Sequence, residues 1–251
     1  MRTLLVDDEP LARSLLIEQL RDHPEVEVVG EAANGFEAVK SIEELAPDLV
    51  FLDIQMPKLS GFEVLELVGA SVPAVVFVTA YDEYALKAFE VHAVDYLLKP
   101  VEPERLAAAL ARAAERLATR DDDSGGFDPD PAALAAAARP PGRALERVLF
   151  RSEGRVEVLP VGRIDFVEAQ DDYLCFASAG RRFRKQQTMA ELESQLDPEL
   201  FVRVHRSYLL NVERLARLDL YSKDSWLAIL ADGTKLPVSR SGYARLKELL
   251  G

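Results

Sequence analysis

Apolar and polar positions follow one pattern over the first 120 residues of the chain. Short apolar runs alternate with longer stretches whose apolar residues recur at helical spacing. The runs are "RTLLVDD", "VEVVGEA", "DLVFLDI", "AVVFVTA" and "DYLLKP", and the stretches are "PLARSLLIEQL", "FEAVKSIEELA", "GFEVLELVG", "EYALKAFEVHA" and "EPERLAAALARAAERLATR". Such runs are typical of buried strands, and such stretches of amphipathic helices. The alternation predicts an α/β fold with a doubly wound, five-stranded parallel sheet and helices on both faces.

From residue 146 onwards the apolar runs are shorter and often alternate with polar residues. They include "RVLFR", "RVEVLPV", "RIDFVEAQ", "YLCFASA", "RRFRKQQ", "LARLDLY", "WLAILA" and "TKLPVS". The turn "ADG" between two of these runs indicates a hairpin. Two helix patterns interrupt them: "TMAELESQL", where Thr188 and Glu191 have capping-box spacing, and "SRSGYARLKELL". We predict a mainly-β domain of short strands with two short helices.

A segment of different composition, "DDDSGGFDPDPAALAAAARPPGR", separates the two patterns at residues 121–143. Its charge run, glycine pair, repeated prolines and alanine tract make a poor core and are typical of a flexible linker. We therefore predict a first domain over residues 1–120, a linker over 121–145 and a second domain over 146–251.

The composition of the chain indicates the cellular compartment in which we expect it. Hydrophobic residues make up 49% of it, yet no apolar run approaches the roughly 20 residues that cross a bilayer. The start, "MRTLLVDDEP", is acidic where a signal peptide is apolar. Cys175 is the one cysteine, which forbids an intrachain disulfide and fits a reducing compartment. We expect a cytoplasmic protein with no membrane partner.

Charge is distributed unevenly between the two halves. The whole chain has a net charge of −13, which is unusual for a protein that binds nucleic acid. Residues 1–145 contain 13 Lys and Arg against 27 Asp and Glu, a net of −14, whereas residues 146–251 contain 17 against 16, a net of +1. The second half also contains the basic cluster "RRFRK". This asymmetry indicates two modules with different partners.

Polar residues fall at the carboxyl ends of the predicted parallel strands. Asp7 and Asp8 end the first strand, Asp53 the third, Thr79 the fourth and Lys99 the fifth. These ends face one crevice, where three carboxylates repel each other unless a cation compensates. Their hard oxygen atoms favour Mg²⁺, and Lys99 and Thr79 are suited to contact a phosphoryl group. Any one residue fits a solvated or helix-terminal charge equally well, but their convergence favours a site.

Three segments of the first domain, "VDDEP", "FLDIQMPKLSGFEVL" and "VFVTAYDEYALKAFEVHAVDYLLKP", resemble the receiver domain of two-component response regulators. The resemblance covers the whole first domain, and the positions named above all match. It implies that a sensor histidine kinase phosphorylates Asp53. It also implies that Asp7, Asp8, Asp53 and the backbone carbonyl of Gln55 bind Mg²⁺.

The same resemblance implies roles for the remaining residues of the crevice. Thr79 and Lys99 would bind phosphoryl oxygens, and Tyr96 would be an aromatic switch. The Lys99–Pro100 bond is expected to be cis, which would direct the lysine into the pocket. Tyr81 is bulky, and we hypothesise that it shields the phosphoaspartate from hydrolysis. Phosphorylation is expected to reshape the surface of the fourth and fifth helices and the fifth strand, producing a homodimer.

The second domain shows no catalytic constellation, no phosphate loop and no set of metal ligands, so an enzymatic output is disfavoured. Four of its segments resemble the LytTR-type DNA-binding domain of LytR/AlgR-like response regulators: "IDFVEAQDDYLCF", "TMAELESQL", "FVRVHRSYLLNVERL" and "ADGTKLPVSRSGYARLKELL". They occur in the family's order. The resemblance implies short β-sheets whose loops enter grooves of double-stranded DNA, without a helix-turn-helix.

The family's DNA contacts correspond by position to Asp171–Tyr173, His205–Ser207, Ser239 and Arg240. Arg240 is the strongest candidate to bind guanine and Arg206 is similar, because arginine can donate two hydrogen bonds to the major-groove edge of that base. The alternative for Arg240 is a surface ion pair. Arg184 and Lys185 are candidates for phosphate contacts, and a solvated strand face is the alternative for both.

His205, in "RVHRSYLLN", lacks the partners that catalysis or metal binding would need. If the segment is a strand, Arg203 and His205 share one face and Val202 and Val204 the other. DNA contact and structural support both remain open for His205, with structural support favoured, and Arg206 is the better DNA contact.

The two resemblances together imply a DNA-binding response regulator of a two-component system. Dimerisation after phosphorylation of Asp53 would place two DNA-binding domains on direct-repeat-like half-sites. The acidic pair Asp171 and Asp172 would repel DNA phosphates unless one of them accepts a hydrogen bond from a cytosine amino group. The alternative function is a phosphorylation-switched adaptor whose β domain binds a protein. Salt-dependent DNA binding would distinguish the two.

Overall fold

In the computed structural model, the chain separates into two units, Met1–Pro140 and Pro141–Gly251. The structure describes residues 1–69, 74–81, 93–119, 144–152, 155–222 and 225–250. Residues 83–92 of the fourth predicted helix and residues 121–143 of the predicted linker lie outside the described residues. The domain boundaries given above stay a prediction.

The first unit contains the predicted parallel sheet, with strands in the order β2-β1-β3-β4-β5. The strands are β1 (Arg2–Val6), β2 (Glu27–Ala32), β3 (Leu49–Leu52), β4 (Val75–Thr79) and β5 (Asp95–Leu98). The described helices are α1 (Pro10–Leu20), α2 (Gly35–Leu45), α3 (Gly61–Val68) and α4 (Pro103–Ala118). The strand order reverses between β1 and β3, which opens a crevice at their carboxyl ends.

Local sequence signals determine where these helices begin. The Asn34 side chain accepts a hydrogen bond from the Glu37 amide at 3.1 Å and caps α2. The Ser60 hydroxyl accepts from the Glu63 amide, and the Glu63 carboxylate accepts from the Ser60 amide, which forms a capping box at α3. Both caps lie at the amino ends of helices that follow a strand, so they fix the loops that surround the crevice.

The second unit is mainly β, as predicted. Its strands are β6 (Arg147–Ser152), β7 (Arg155–Pro160), β8 (Phe166–Gln170), β9 (Tyr173–Ser178), β10 (Arg181–Lys185), β11 (Phe201–His205), β12 (Tyr208–Asn211), β13 (Leu215–Ser222), β14 (Ser225–Leu230) and β15 (Lys235–Val238). They form the sheets β10-β9-β8-β12-β11, β13-β14-β15 and β6-β7. The two α-helices described in this unit are α5 (Met189–Gln195) and α6 (Arg240–Leu250), and single 3₁₀ turns lie at Val161–Arg163 and Val212–Arg214.

The five-stranded sheet of this unit carries a hydrophobic cluster on each face, because successive side chains along a strand point to opposite faces. Val167 belongs to the hydrophobic cluster that contains α5, while the adjacent Phe166 belongs to the cluster that contains β14, β15 and α6. Gly242 of α6 lies directly on β11, where a Cβ atom would clash with the Val204 carbonyl. Among the described residues of both units, no helix has the length and apolar character needed to cross a bilayer.

Candidate metal centre and nucleic-acid interface

Three carboxylates converge at the carboxyl ends of β1 and β3. Oxygen atoms of Asp7, Asp8 and Asp53 all lie within 4.8 Å of one another. Asp7 and Asp53 are buried, and Asp8 is partly exposed. The Gln55 amide donates to Asp53 Oδ1 at 3.2 Å, so this peptide lies beside the cluster. Clustered hard oxygen donors fit a divalent cation such as Mg²⁺.

Lys99 extends from the end of β5 into the same cluster. Its Nζ lies 2.7 Å from Asp7 Oδ2, 2.8 Å from Asp53 Oδ2 and 4.0 Å from Glu9 Oε2. The Lys99–Pro100 bond is cis, as predicted. One ammonium group therefore bridges the carboxylates of two adjacent strands.

The pKa values of Asp53 and Lys99 are both shifted by burial and by their mutual hydrogen bond. Burial has the larger effect on Asp53, and the combined interactions with Asp53 and Asp7 have the larger effect on Lys99. Burial raises the pKa of Asp53, and the hydrogen bond from Lys99 opposes this only in part. Burial alone would lower the pKa of Lys99, but its hydrogen bonds to Asp53 and Asp7 raise it above the usual value. Lys99 therefore remains charged, while the carboxylates still exceed the cations in the pocket.

Thr79 ends β4 and is completely buried. Its backbone carbonyl accepts from the Lys99 amide at 2.9 Å. Within the described part of the chain, its Oγ1 has no hydrogen-bond partner. A buried hydroxyl with no partner costs free energy, and the Thr79 hydroxyl thus keeps an unused hydrogen-bond donor at the carboxyl end of β4.

Tyr96 and Tyr81 are connected across the loop after β4. The Tyr96 hydroxyl donates to the Tyr81 carbonyl, so the predicted switch residue is bonded to the segment beyond Thr79. The Tyr81 side chain is 44% exposed. Its shielding of a phosphoaspartate stays a prediction.

Two residues beside the acidic cluster were missed by the sequence reasoning. Arg13 Nη1 donates to the Asp7 carbonyl at 2.7 Å, and its Nε pairs with Glu31 at 2.9 Å. A Cβ atom on Gly61 would clash with the Asp53 carbonyl, so a glycine lets α3 begin against the end of β3. The glycine in "LSGFEVL" was a visible signal, whereas the position of Arg13 depends on how α1 packs.

In the second unit, the turn between β11 and β12 lies beside the start of α6. Ser239 donates from both its amide and its hydroxyl to the Val204 carbonyl, at 2.8 and 3.1 Å, and its Oγ accepts from the Gly242 amide at 3.1 Å. These contacts make Ser239 the cap that connects α6 to β11. A cavity of about 380 Å³, here called the arginine pocket, is lined by Glu193, Arg203, His205, Arg206, Ser239, Ser241 and Arg245.

Arg206 projects from a turn that is fixed by several contacts. His205 Nδ1 accepts from the Ser207 amide at 3.2 Å, and the Ser207 carbonyl accepts from the Ala169 amide at 2.9 Å. Arg203 Nη2 donates to the Arg206 carbonyl at 3.0 Å. The Arg206 side chain is exposed and has no hydrogen bond or ion pair within the described ranges. His205 thus supports the turn, and Arg206 is available to an external ligand.

The structure does not place Arg184 and Lys185 on one surface. Arg184 pairs across β9 with Cys175, whereas Lys185 pairs with Leu174 of the hydrophobic core and projects to the opposite face. The two side chains therefore point to opposite faces, because side chains alternate along β10, and their contact with DNA phosphates stays a prediction. Tyr173 is 48% exposed.

Two of the predicted DNA contacts lie on opposite edges of the five-stranded sheet. Arg184 lies on β10 and His205 on β11, which are separated by three strands, or roughly 19 Å at the usual strand spacing. Between them, the Tyr208 hydroxyl donates to Glu168 at 2.6 Å, which raises the pKa of Tyr208 to about 12. Arg240 is exposed at the first position of α6. The residues near α6 therefore form one group and those of β10 another.

Comparison with known proteins agrees with this architecture. A family model described as a response regulator receiver domain matches residues 3–111, and one described as a LytTr DNA-binding domain matches residues 154–251. An "uncharacterized response regulatory protein" of Vibrio cholerae is 38% identical over 252 residues, covering 100% of this chain and 99% of the relative. The "transcriptional regulatory protein BtsR" of Salmonella typhi is 36% identical over 253 residues, with the same coverage.

The chain is also similar to the crystal structure of the response regulatory domain of protein mrkE from Klebsiella pneumoniae. The match covers 47% of this chain and 99% of the mrkE domain, with 33% identity and a TM-score of 0.44. The two matched domains define a two-component response regulator with a DNA-binding output domain. The chain belongs to the response regulators that join a receiver domain to a LytTR DNA-binding domain.

Proposed function

We propose that the chain is a cytoplasmic transcription regulator that a sensor histidine kinase activates by phosphorylating Asp53. The proposal is carried by one observation: the buried carboxylate of Asp53 lies beside two others and is bridged to one of them by a lysine. A carboxylate oxygen of Asp53 attacks the phosphorus of a phosphohistidine, the P–N bond breaks, and the nitrogen keeps the electron pair.

The residues present fit a bound Mg²⁺. Asp7, Asp8, Asp53 and the Gln55 carbonyl would hold it, and when bound it would offset negative charge on the phosphoryl oxygens. Lys99 and Thr79 supply hydrogen-bond donors to the same oxygens from β5 and β4. The chain therefore provides donors from two adjacent strands to the group that arrives on Asp53.

The switch that we propose starts at Thr79. Its hydroxyl moves toward the phosphoryl group, and Tyr96 follows into the space that it leaves, which alters the surface of β5 and α4. Two chains then dimerise through that surface and bring two DNA-binding domains to direct-repeat-like half-sites. In each domain, Arg206 and Arg240 contact bases, and Arg184 contacts phosphate.

Phosphorylation is tested by incubating the full chain with acetyl phosphate and Mg²⁺ and measuring its intact mass. We expect one added phosphoryl group in the wild type and none in Asp53→Asn. Asp22→Asn, which changes an exposed carboxylate, should behave as the wild type. Addition of phosphate to Asp53→Asn would contradict the assignment.

DNA binding is tested by selecting bound duplexes from a random pool with the phosphorylated chain. Arg206→Gln should reduce discrimination at one base pair by about 1–3 kcal/mol. Arg217→Gln is the matched control, because Arg217 is an exposed arginine paired with Asp219 at 3.0 Å on another sheet. Failure of the wild type to enrich any sequence would refute the proposal.

A further inference from the structure

Glu193, on α5, contacts two of the three arginines in the arginine pocket. Its Oε2 lies 3.2 Å from Arg203 Nη1, and its Oε1 lies 3.8 Å from Arg245 Nη1. Both arginines also donate to backbone carbonyls: Arg203 to that of Arg206 at 3.0 Å, and Arg245 to that of Arg203 at 3.2 Å. One carboxylate therefore ties together α5, β11 and α6.

Arg206, the third arginine of the pocket, forms no ion pair or hydrogen bond with Glu193 in the part of the chain that the structure describes. The Arg206 side chain makes no hydrogen bond or ion pair among the described residues, while its carbonyl is held by Arg203. With Glu193 in place, two guanidinium groups act as internal supports and one faces outward. Without Glu193, the lining would contain three arginines and no acidic side chain.

We propose that Glu193 determines the DNA specificity of the second unit, as a positioning residue that acts through Arg203 and Arg245. The inference rests on the DNA binding proposed above. Free cationic side chains contact phosphates of any sequence, so they add affinity without discrimination. By pairing with Arg203 and Arg245, Glu193 offsets their charge and limits this sequence-independent binding, and through Arg203 it keeps Arg206 in a fixed direction for reading bases.

The test compares Glu193→Gln with the wild type in the full-length, acetyl-phosphate-treated chain. Binding is measured over a salt series to a duplex recovered by selection and to a scrambled duplex of the same length and composition. We expect the variant to bind the scrambled duplex several-fold more tightly. Its plot of log affinity against log salt should be steeper by roughly 0.9–1.8, as one or two more phosphates are neutralised. Affinity for the selected duplex should rise less, so the specificity ratio falls.

Three control variants separate this role from general effects of charge or stability. Asp219→Asn also removes a carboxylate and releases an arginine, Arg217, on another sheet, and should leave the specificity ratio unchanged. Glu193→Asp keeps the charge and should stay closer to the wild type than Glu193→Gln. Adding Arg245→Gln to Glu193→Gln removes one released cation and should return the salt slope toward the wild-type value.

The alternative, that Glu193 only stabilises the fold, predicts a different result. Glu193→Gln would then weaken binding to both duplexes without a steeper salt slope, and this outcome overturns the inference. An unchanged ratio, or an equal fall of the ratio in Asp219→Asn, also overturns it. If the wild type selects no sequence, the proposed function fails and the inference fails with it. Selective wild-type binding with an unchanged variant ratio removes the role of Glu193 alone.

Discussion

Thr79 and Thr3 are both completely buried in the first sheet, but their hydroxyl groups have different surroundings. Thr3 Oγ1 donates to the Met1 carbonyl at 3.2 Å, whereas Thr79 Oγ1 has no partner in the described part of the chain. A buried polar group without a partner costs roughly 1–3 kcal/mol. Thr79→Val should therefore raise the free energy of unfolding by about 1 kcal/mol, and it should weaken phosphorylation-dependent dimerisation.

Urea denaturation measures the free energy of unfolding, and light scattering measures the phosphorylation-dependent dimer. Thr3→Val is the control, and it should lower the free energy of unfolding because its hydroxyl is bonded. A Thr79→Val chain that is less stable than the wild type would show that the hydroxyl is not a cost in the resting protein.

Asp53 should make stability depend on pH. Its ordinary pKa is 3.8, and burial raises the pKa in the folded state. The folded chain therefore binds this proton more tightly than the unfolded chain. The resulting stability is full below pH 3.8 and is lost as the pH rises through the folded-state pKa. Asp53→Asn should be more stable than the wild type at neutral pH, by a margin that shrinks on acidification.

Urea unfolding in the presence of a chelator measures this difference across the acidic range. The chelator is needed because a bound cation would offset the cost of the buried carboxylate. Asp22→Asn should show no such pH-dependent gain. A margin that widens as the pH falls would contradict the raised pKa of Asp53.

At the scale of elements, the contact of α6 with β11 positions the arginine pocket. Gly242→Ala would force a methyl group into the Val204 carbonyl. We expect α6 to separate from β11, with a loss of about 2 kcal/mol or more, typical of overpacking, and with loss of DNA binding. Gly162→Ala is a matched control because no atom lies within 4 Å of its added methyl group.

Trp226 reports this change directly. It is the one tryptophan of the chain, and its ring stacks on Tyr243 of α6 with centroids 4.2 Å apart. The fluorescence of Gly242→Ala should shift to longer wavelength in the folded protein, whereas that of Gly162→Ala should not. A wild-type spectrum together with normal DNA binding in Gly242→Ala would refute the role of this contact.

The elements also show what could be predicted from the sequence. The location of five polar residues at one edge of the first sheet was predictable, because the carboxyl ends of parallel strands lie at the same edge whatever the conformation of the loops. These residues are Asp7, Asp8, Asp53, Thr79 and Lys99. The alternation in "RRFRK" was equally visible and would have separated Arg184 from Lys185. The contact of Glu193 with Arg203 was not predictable, because it depends on how α5 packs against β11. Sequence patterns define faces of elements, whereas the pairing of elements requires the folded chain.

At the scale of the whole molecule, the charge of the acidic first half opposes the DNA binding that we propose for the near-neutral second half. A net charge of −14 over residues 1–145 repels phosphates within a Debye length of about 10 Å at 0.1 M salt. A monomer should therefore bind DNA weakly. Pairing two DNA-binding domains raises the effective concentration of the second domain once the first is bound, so the phosphorylation proposed for Asp53 would increase the occupancy of DNA through the proposed dimer.

This coupling predicts a change in assembly that depends on Asp53. The acetyl-phosphate-treated wild type should shift from monomer to dimer in sedimentation velocity, and Asp53→Ala should remain monomeric. On a duplex with two half-sites, the wild type should gain affinity in parallel with the dimer, whereas on a single half-site it should gain little. Changing the spacing between half-sites should reduce the gain, since the linked domains must reach both sites at once. A dimer that forms equally in Asp53→Ala would refute the dependence of assembly on phosphorylation. The proposed DNA contacts of the arginine pocket do not depend on that result.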